Sequence, residues 1–133
     1  MVVDAVFQAT RFGLQFERLR LEAASHNIAV SDRASTPGSV PPLLRAVAGH
    51  GVSLHGAGTG TPSLVPMGSS ERDVHDPSDP MANQQGMVGY PRVDLVEEMS
   101  TLMEASRAYE ANVRAFNTLR SMELRALDMG GGA

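Results

Sequence analysis

With 133 residues, the chain can hold one modest domain, or a small domain with long helices attached to it. Its formal net charge of -4 argues weakly against nucleic acid as a partner. Cysteine is absent, which excludes a disulfide framework and thiolate metal sites but is compatible with either side of a membrane.

The N-terminal segment does not have the character of a secretory signal peptide. Asp4 comes early, and no basic segment is followed by an apolar core. Along the chain, no stretch is long and apolar enough to cross a bilayer. We therefore expect neither a cleaved signal peptide nor a membrane-spanning helix.

Residues 1–31 are predicted to form a long helix with apolar residues on two sides. One stripe at helical spacing consists of Phe12, Phe16, Leu19 and Ala23. A second stripe, about 180° away at 100° per residue, consists of Phe7, Leu14, Leu21 and Ile28. A surface helix of a monomer normally has one apolar stripe, so two stripes indicate a helix that lies between neighbours. A compact bundle would also explain them, but the chain offers only two long helices.

Residues 32–92 contain most of the glycine and proline and are predicted to form a small, irregular β-rich insert. Four short segments are candidate strands: Leu43–Val47, Val52–His55, Ser63–Val65 and Glu71–His75. The segment Asp76–Pro80 is predicted to be a turn, and Gly86–Pro91 is predicted to lead into the next helix.

Residues 93–129 are predicted to form a second, longer helix, because neither proline nor glycine interrupts them. One apolar face, with alternating steps of three and four, comprises Leu95, Met99, Leu102, Ser106, Tyr109, Val113 and Phe116. Leu119 and Met122 lie off this face and are candidates for a second contact surface. A helix of about 36 residues would be roughly 54 Å long. Its own chain is too short to cover it, so it needs partners.

The ends of this second helix have recognisable signals. Asp94 is predicted to be the N-cap, with Glu97 three residues later in the manner of a capping box. Residues 130–133, which include three glycines, are predicted to form a flexible tail.

No pattern in the sequence indicates catalytic chemistry. The four histidines are scattered, and none has a second ligand four residues away on a helix, which makes zinc improbable. The glycines at 56, 58 and 60 do not have the spacing of a phosphate-binding loop, and Asp73, Asp76 and Asp79 do not have that of a calcium loop. We expect no catalytic residue, no cofactor and no metal, and thus no enzyme. A small metal-dependent enzyme is the last alternative.

Two blocks of sequence resemble a known family. The first is Arg20–Ala29, followed by a Thr-Pro-Gly turn; the second contains D-P-x-x-P at Asp76–Pro80, Y-P-x-V-D at Tyr90–Asp94 and A-S-R-x-Y-x-A-N-V at Ala105–Val113. In this order they resemble the rod proteins of the proximal rod of the bacterial flagellar basal body, the FlgC family. The resemblance covers both ends of the chain well and the middle poorly.

The resemblance implies a mainly α fold in which the N- and C-terminal helices pair as an antiparallel coiled-coil-like unit, the inner axial domain. It implies a structural subunit that assembles with itself and other rod proteins into the helical drive shaft, which transmits torque and lines the export channel. Implied partners also include adaptor or ring components at the rod base and the flagellar type III export apparatus, with no nucleic acid and no small-molecule substrate. The implied location is the basal body, across the periplasm, after export without a cleaved signal peptide.

Residues predicted to form the assembly interface lie on both helices: Phe7, Phe12, Leu14, Phe16, Leu19, Leu21, Asn27, Ile28, Leu95, Met99, Leu102, Tyr109, Asn112, Val113, Phe116, Leu119 and Met122. Neighbouring copies are expected to bury the apolar stripes that one chain cannot cover. A sister rod or hook subunit is the nearest alternative, because such subunits share the pattern of terminal helices. A soluble helical adaptor or chaperone is an alternative of another class.

Overall fold

The computed structural model describes residues 2–49, 60–68 and 70–131, and within them the chain is mainly helical. The elements follow in the order α1 (Val2–Val30), β1 (Leu43–Val47), β2 (Ser63–Met67), β3 (Glu71–His75), β4 (Met87–Pro91) and α2 (Leu95–Gly130). The strands form two antiparallel pairs, β1 with β2 and β3 with β4. The predicted class, two long terminal helices with a small β insert between them, is confirmed.

The start of α2 is fixed by its predicted N-cap. Asp94 has an extended backbone, and its Oδ1 accepts hydrogen bonds from the N–H groups of Val96 at 3.0 Å and Glu97 at 3.1 Å. The helix therefore begins at Leu95, two residues after the predicted start. It continues for 36 residues to Gly130, the first residue of the predicted tail.

α1 has 29 residues and ends at Val30, close to the predicted boundary. The chain leaves it through a turn in which the N–H of Arg33 donates to the carbonyl oxygen of Val30 at 3.0 Å. As far as the described residues go, neither helix combines the length and the apolar character that crossing a membrane requires.

α1 and α2 pack against each other in antiparallel orientation along the length of α1. Four contacts mark this pairing: Phe7 with Phe116, Gly13 with Asn112, Arg20 with Glu104, and Asn27 with Glu98. The phenylalanine rings meet edge to face, with centroids 5.4 Å apart. A Cβ on Gly13 would lie 2.9 Å from Nδ2 of Asn112, so the missing side chain lets the amide lie against the α1 backbone.

The face of α2 that α1 covers is centred on Ala105, which is completely buried. The predicted apolar stripe lies about a quarter of a turn away at 100° per residue, and it is divided. Leu102, Val113 and Phe116 are half-buried, whereas Leu95 and Met99 are exposed. The stripe consists mostly of large apolar residues, whereas the close contact with α1 is centred on a small one, so α1 covers only part of the stripe.

The strands agree with the prediction in part. β1 and β3 have the predicted bounds, and β2 extends two residues beyond the predicted end at Val65. β4 was missed, because the segment predicted to lead into the C-terminal helix is a strand. It contains Gly89 and ends at Pro91, which pairs with Glu71 at the end of the ladder where proline is tolerated. The candidate strand Val52–His55 lies outside the described residues.

The segment after α1 is anchored to the second strand pair. Ser35 and Gly89 exchange two backbone hydrogen bonds of 2.9 and 2.8 Å, which adds a short bridge beside β4. Next to this bridge, Val88 is completely buried. The described core is small, and its members are divided between α1 with its neighbours β1 and α2, and the strand β4. Its buried apolar residues are Ala23, Ala24, Val30, Leu43, Val88 and Ala105.

The connection between β3 and β4 contains the predicted turn. Oδ1 of Asp76 accepts hydrogen bonds from the hydroxyl of Ser78 at 2.6 Å and from its N–H at 3.1 Å. The hydroxyl hydrogen bond is the main cause that lowers the pKa of this exposed carboxyl, because it stabilises the ionised form. Asp79 closes a second turn in the same way, by accepting from the N–H of Met81.

Gly89 is required where the Glu71 carboxylate crosses β4. Both carboxylate oxygens accept from the N–H of Gly38, at 2.9 and 3.0 Å, and Gly38 itself has a φ of 84°. A Cβ on Gly89 would overlap this carboxylate. The carboxylate thus fastens the turn at Gly38 to the second strand pair only while position 89 has no side chain.

We expect Gly89→Ala to lower the free energy of unfolding by about 1–3 kcal/mol, because the methyl group must displace the Glu71 carboxylate. Urea unfolding of the purified chain, followed by far-ultraviolet circular dichroism, measures the change. Gly68→Ala is the matched control, since no heavy atom lies within 4 Å of its Cβ position and its φ is not positive. Equal losses for the two variants would contradict this account.

Candidate assembly surface and the joint beneath it

The side chain of Asn27 joins three elements of the fold. Its Oδ1 accepts from the N–H of Leu44 at 2.8 Å, and its Nδ2 donates to the carbonyl oxygen of Leu44 at 3.0 Å. The same Nδ2 donates to Oε1 of Glu98 at 2.9 Å. The amide thereby pairs with β1 as a neighbouring strand would, and it also reaches α2. We call these three residues the joint.

The joint is enclosed, and its neighbours reinforce it. Asn27 is only 3% exposed, so its amide groups have lost water and depend on these hydrogen bonds. On the adjacent side of α1, Nε2 of His26 lies 3.2 Å from the carbonyl oxygen of Pro42, just before β1. Two consecutive side chains of α1 therefore hold the start of the first strand pair.

An open cleft of about 420 Å³ lies beside the joint, between α1, β1 and the start of α2. Apolar side chains such as Phe16 and Met67 line it together with charged residues of both signs, including Arg20, Arg45 and Glu97. Within the described part of the chain, no three histidine, cysteine or acidic residues are placed to hold a metal ion. The cleft has the character of a contact surface of mixed polarity.

The predicted interface residues of α1 are all at least half-buried. Asn27 is buried in the joint, and Phe7 packs on Phe116. The rings of Phe12 and Phe16 stack with centroids 6.3 Å apart. All the predicted apolar residues on this helix are half-buried: Phe7, Phe12, Leu14, Phe16, Leu19, Leu21 and Ile28. Each of them therefore keeps surface that a further element could cover.

The predicted interface residues of α2 differ more in exposure. The half-buried ones are Leu102, Asn112, Val113, Phe116 and Leu119. The exposed ones are Leu95, Met99, Tyr109 and Met122, with relative exposures of 40, 52, 37 and 60%. The second group is not covered by the chain itself. Whether other subunits cover these residues stays a prediction.

Two exposed apolar patches stand at opposite ends of α2. The head patch consists of Leu95, Val96, Met99 and Met103, on the side turned away from Ala105. The tail patch surrounds the helix, with Met122 and Met129 on one side and Leu124 and Leu127 on the opposite side. Val96 and Met103, exposed by 77 and 55%, are absent from the predicted interface. Their spacing of three and four with Met99 was a signal that could have found them.

The tail patch is exposed because α2 extends past α1. The two helices are antiparallel, and Phe7 of α1 lies against Phe116 of α2. α1 starts only five residues before Phe7, whereas α2 continues for fourteen residues beyond Phe116, to Gly130. Every described residue from Arg120 to Gly131 is exposed. No other described element covers this part of the helix.

The charges on α2 are unevenly distributed. Residues 94–104 contain four carboxylates and no arginine. Residues 114–129 contain three arginines and two carboxylates. Glu104 lies 3.6 Å from Arg20 of α1, and Glu110 and Arg114 of α2 are 3.8 Å apart. Such exposed pairs contribute little to stability, so the uneven charge remains available to neighbours.

We expect Asn27→Ala to lower the free energy of unfolding by about 2–4 kcal/mol, because it leaves the buried N–H and carbonyl of Leu44 without partners. Asn27→Asp keeps one acceptor but loses both donated hydrogen bonds, so it should not restore stability. Urea unfolding measures both. Asn117→Ala removes an exposed amide from α2 and serves as the control. If Asn27→Ala were as mild as this control, the joint would not hold the fold together.

Comparison with known proteins identifies the family. Residues 84–129 match the sequence model of a family described as the C-terminal region of the flagellar basal body rod FlgEFG proteins. The flagellar basal-body rod protein FlgC of Salmonella typhimurium is 33% identical over 133 residues, which covers 98% of this chain and 99% of the relative.

Two further FlgC proteins agree with this result. The protein of Agrobacterium fabrum is 31% identical over 121 residues, covering 88% of this chain and 87% of the relative. That of Bacillus subtilis is 47% identical over 57 residues, covering 43% of this chain and 38% of the relative. The matches also confirm the prediction of a structural protein and not an enzyme. The chain belongs to the FlgC family of flagellar basal-body rod proteins.

Proposed function

We propose that the chain is a structural subunit of the proximal rod. In this function it assembles with copies of itself and with other rod proteins into the helical shaft that transmits torque and surrounds the export channel. The observation that carries the proposal is the 36-residue helix α2, whose apolar residues at both ends are left uncovered by the chain. The similarity to FlgC over nearly the full length supports the choice of assembly.

Burial of the exposed apolar residues provides the driving force. Burying one leucine or methionine side chain stabilises a contact by about 1.5–3 kcal/mol. An exposed ion pair typically contributes about 0–1 kcal/mol. The eight residues of the head and tail patches therefore outweigh the surface ion pairs of α2.

The helix pair acts in this proposal as an antiparallel coiled-coil-like strut. On α1 the residues that contact α2 recur every seven residues, at Gly13, Arg20 and Asn27, and their partners on α2 are Asn112, Glu104 and Glu98. A seven-residue repeat is the spacing of a coiled-coil seam. In this chain small and polar residues occupy the repeat. Their contacts define how the two helices align, but they bury little apolar surface.

We further propose the division of the chain between the shaft and its surroundings. Residues 1–31 and 93–129 form the inner axial domain, residues 32–92 form an outer insert and residues 130–133 form a tail. The partners beyond the rod are the adaptor or ring components at its base and the flagellar type III export apparatus. Export without a cleaved signal peptide would bring the subunit to a rod that crosses the periplasm. Family membership is the support for these points.

A sister rod or hook subunit is the second candidate. It is favoured by the match of residues 84–129 to the family described by the FlgEFG proteins. That match covers the C-terminal helix, which such subunits share. The similarity to FlgC extends along the whole chain, through the insert as well, and so favours the first candidate.

We expect deletion of the gene to abolish the rod, and Met99→Asp to do the same while the chain remains folded. Met99 is 52% exposed, so the new charge disturbs only a surface that assembly would bury. Electron microscopy of isolated basal bodies scores the rods, and circular dichroism of the purified variant scores the fold. Ala111→Asp places the same charge at an exposed position of α2 outside the head patch and is the control. Complete rods in the deletion strain would refute the proposed function.

A further inference from the structure

The described contacts of the chain divide into two sets. In the first set, α1 packs on α2 and on the first strand pair, and Asn27 joins α1 to β1 and to α2. We call α1, α2, β1 and β2 the helical unit. In the second set, β3 pairs with β4, and residues 35–38 are attached to that pair. We call β3, β4, the turn between them and residues 35–38 the hairpin unit.

Each unit is held together by its own contacts. The hydrogen bonds that Gly38 donates to Glu71, and those inside the turn after β3, stay within the hairpin unit. The hydrogen bonds of Asn27, and the ion pair of Arg20 with Glu104, stay within the helical unit. The packing is divided in the same way, because β3 and β4 pack mainly on each other, whereas α1 packs on α2, β1 and β2.

The chain passes between the two units through short segments. These segments are residues 31–34, residues 39–42, the connection from β2 to β3, and residues 92–94. Three of them meet at the cleft beside the joint, because Leu43, Ser70 and Arg92 all line that cleft. The N–H of Arg92 also donates to the carbonyl oxygen of Ser70 at 2.8 Å, so two of the segments lie side by side.

We propose that the hairpin unit turns as one body relative to the helical unit, about an axis through the segments beside the cleft. Two parts of a chain move relative to each other unless a large apolar interface holds them. The completely buried apolar side chains belong to the separate units, Ala105 to the helical unit and Val88 to the hairpin unit. A hinge needs only a few backbone residues that change φ and ψ, and the connecting segments provide them.

The hinge leaves the alignment of the two long helices unchanged. The joint at Asn27 lies within the helical unit, so a rotation of the hairpin unit breaks none of its hydrogen bonds. In the assembled rod, the helix pairs of different copies can therefore pack alike while their hairpin units adopt different orientations against different neighbours. This consequence for assembly rests on the proposed function, whereas the hinge is a property of the single chain.

Nitroxide labels on pairs of introduced cysteines measure the motion, because the chain has no cysteine of its own. Double electron–electron resonance on the purified full chain gives the distribution of distances between two labels. The test pair, Ser25→Cys with Gln84→Cys, joins exposed positions of the two units. We expect its distance distribution to be at least about twofold wider than those of two control pairs, since no large interface fixes one orientation.

Each control pair keeps one of these labels within a single unit. Ser25→Cys with Ala111→Cys lies in the helical unit, and Thr36→Cys with Gln84→Cys lies in the hairpin unit, again at exposed positions. Glu22→Cys replaces Ser25→Cys if circular dichroism shows that the label disturbs the helices.

A test distribution no wider than those of the control pairs would overturn the inference. So would a hairpin-unit control as wide as the test pair, because the spread would then arise inside the hairpin unit. Both results leave the proposed function intact, because they are measured on the free chain and not on rods.

Discussion

The amide of Asn27 is the interaction on which the arrangement of the chain depends. It occupies the position of a neighbouring strand for β1 and at the same time donates to Glu98 of α2. An unsatisfied buried polar group costs about 1–3 kcal/mol. The first strand pair and the start of α2 therefore cannot shift along α1 without leaving the buried amide of Asn27 unpaired. This fixed point also determines the direction in which α2 leaves the insert, and with it the side on which the head patch is exposed.

The contact between α1 and α2 is made largely by small residues. Ala105 is completely buried, Ala24 is 1% exposed, and Gly13 lies against Asn112. Small residues let the helix backbones approach, but they bury little apolar surface. The larger apolar side chains of α2 consequently remain at its outer side and its far end. In a self-sufficient monomer such residues would be a liability for aggregation, whereas in the proposed rod they are available for contacts with neighbours.

Much of the fold could be predicted from local signals in the sequence. The absence of glycine and proline gave the length of α2, and Asp94 gave its start to within a residue, because a cap acts within one turn. β4 could not be predicted in this way. It forms because Met87–Pro91 pairs with Glu71–His75 and because Ser35 forms a bridge with Gly89. The residues in these contacts are far apart in the sequence. The face of α2 that α1 covers could not be predicted for a related reason. Hydrophobic periodicity weights large side chains, while this helix contact selected alanine. The exposure of each predicted interface residue follows from the fold of one chain. Contacts between copies arise only in an assembly, so local sequence signals do not determine them.

The polar and apolar contacts of α2 have different consequences for assembly. Inside the chain, Glu98 and Glu104 meet single partners on α1, so these hydrogen bonds and ion pairs define one register of the two helices. The methionine and leucine side chains of the patches are not directional, and a shift of one helical turn would bury nearly as many of them. Adhesion by these patches alone would leave the stagger between copies undefined. The four carboxylates of residues 94–104 restrict this freedom, because like charges disfavour contact between the starts of two α2 helices. Apolar burial thus determines how strongly α2 can adhere to a neighbour, and the carboxylates determine which parts of α2 avoid each other.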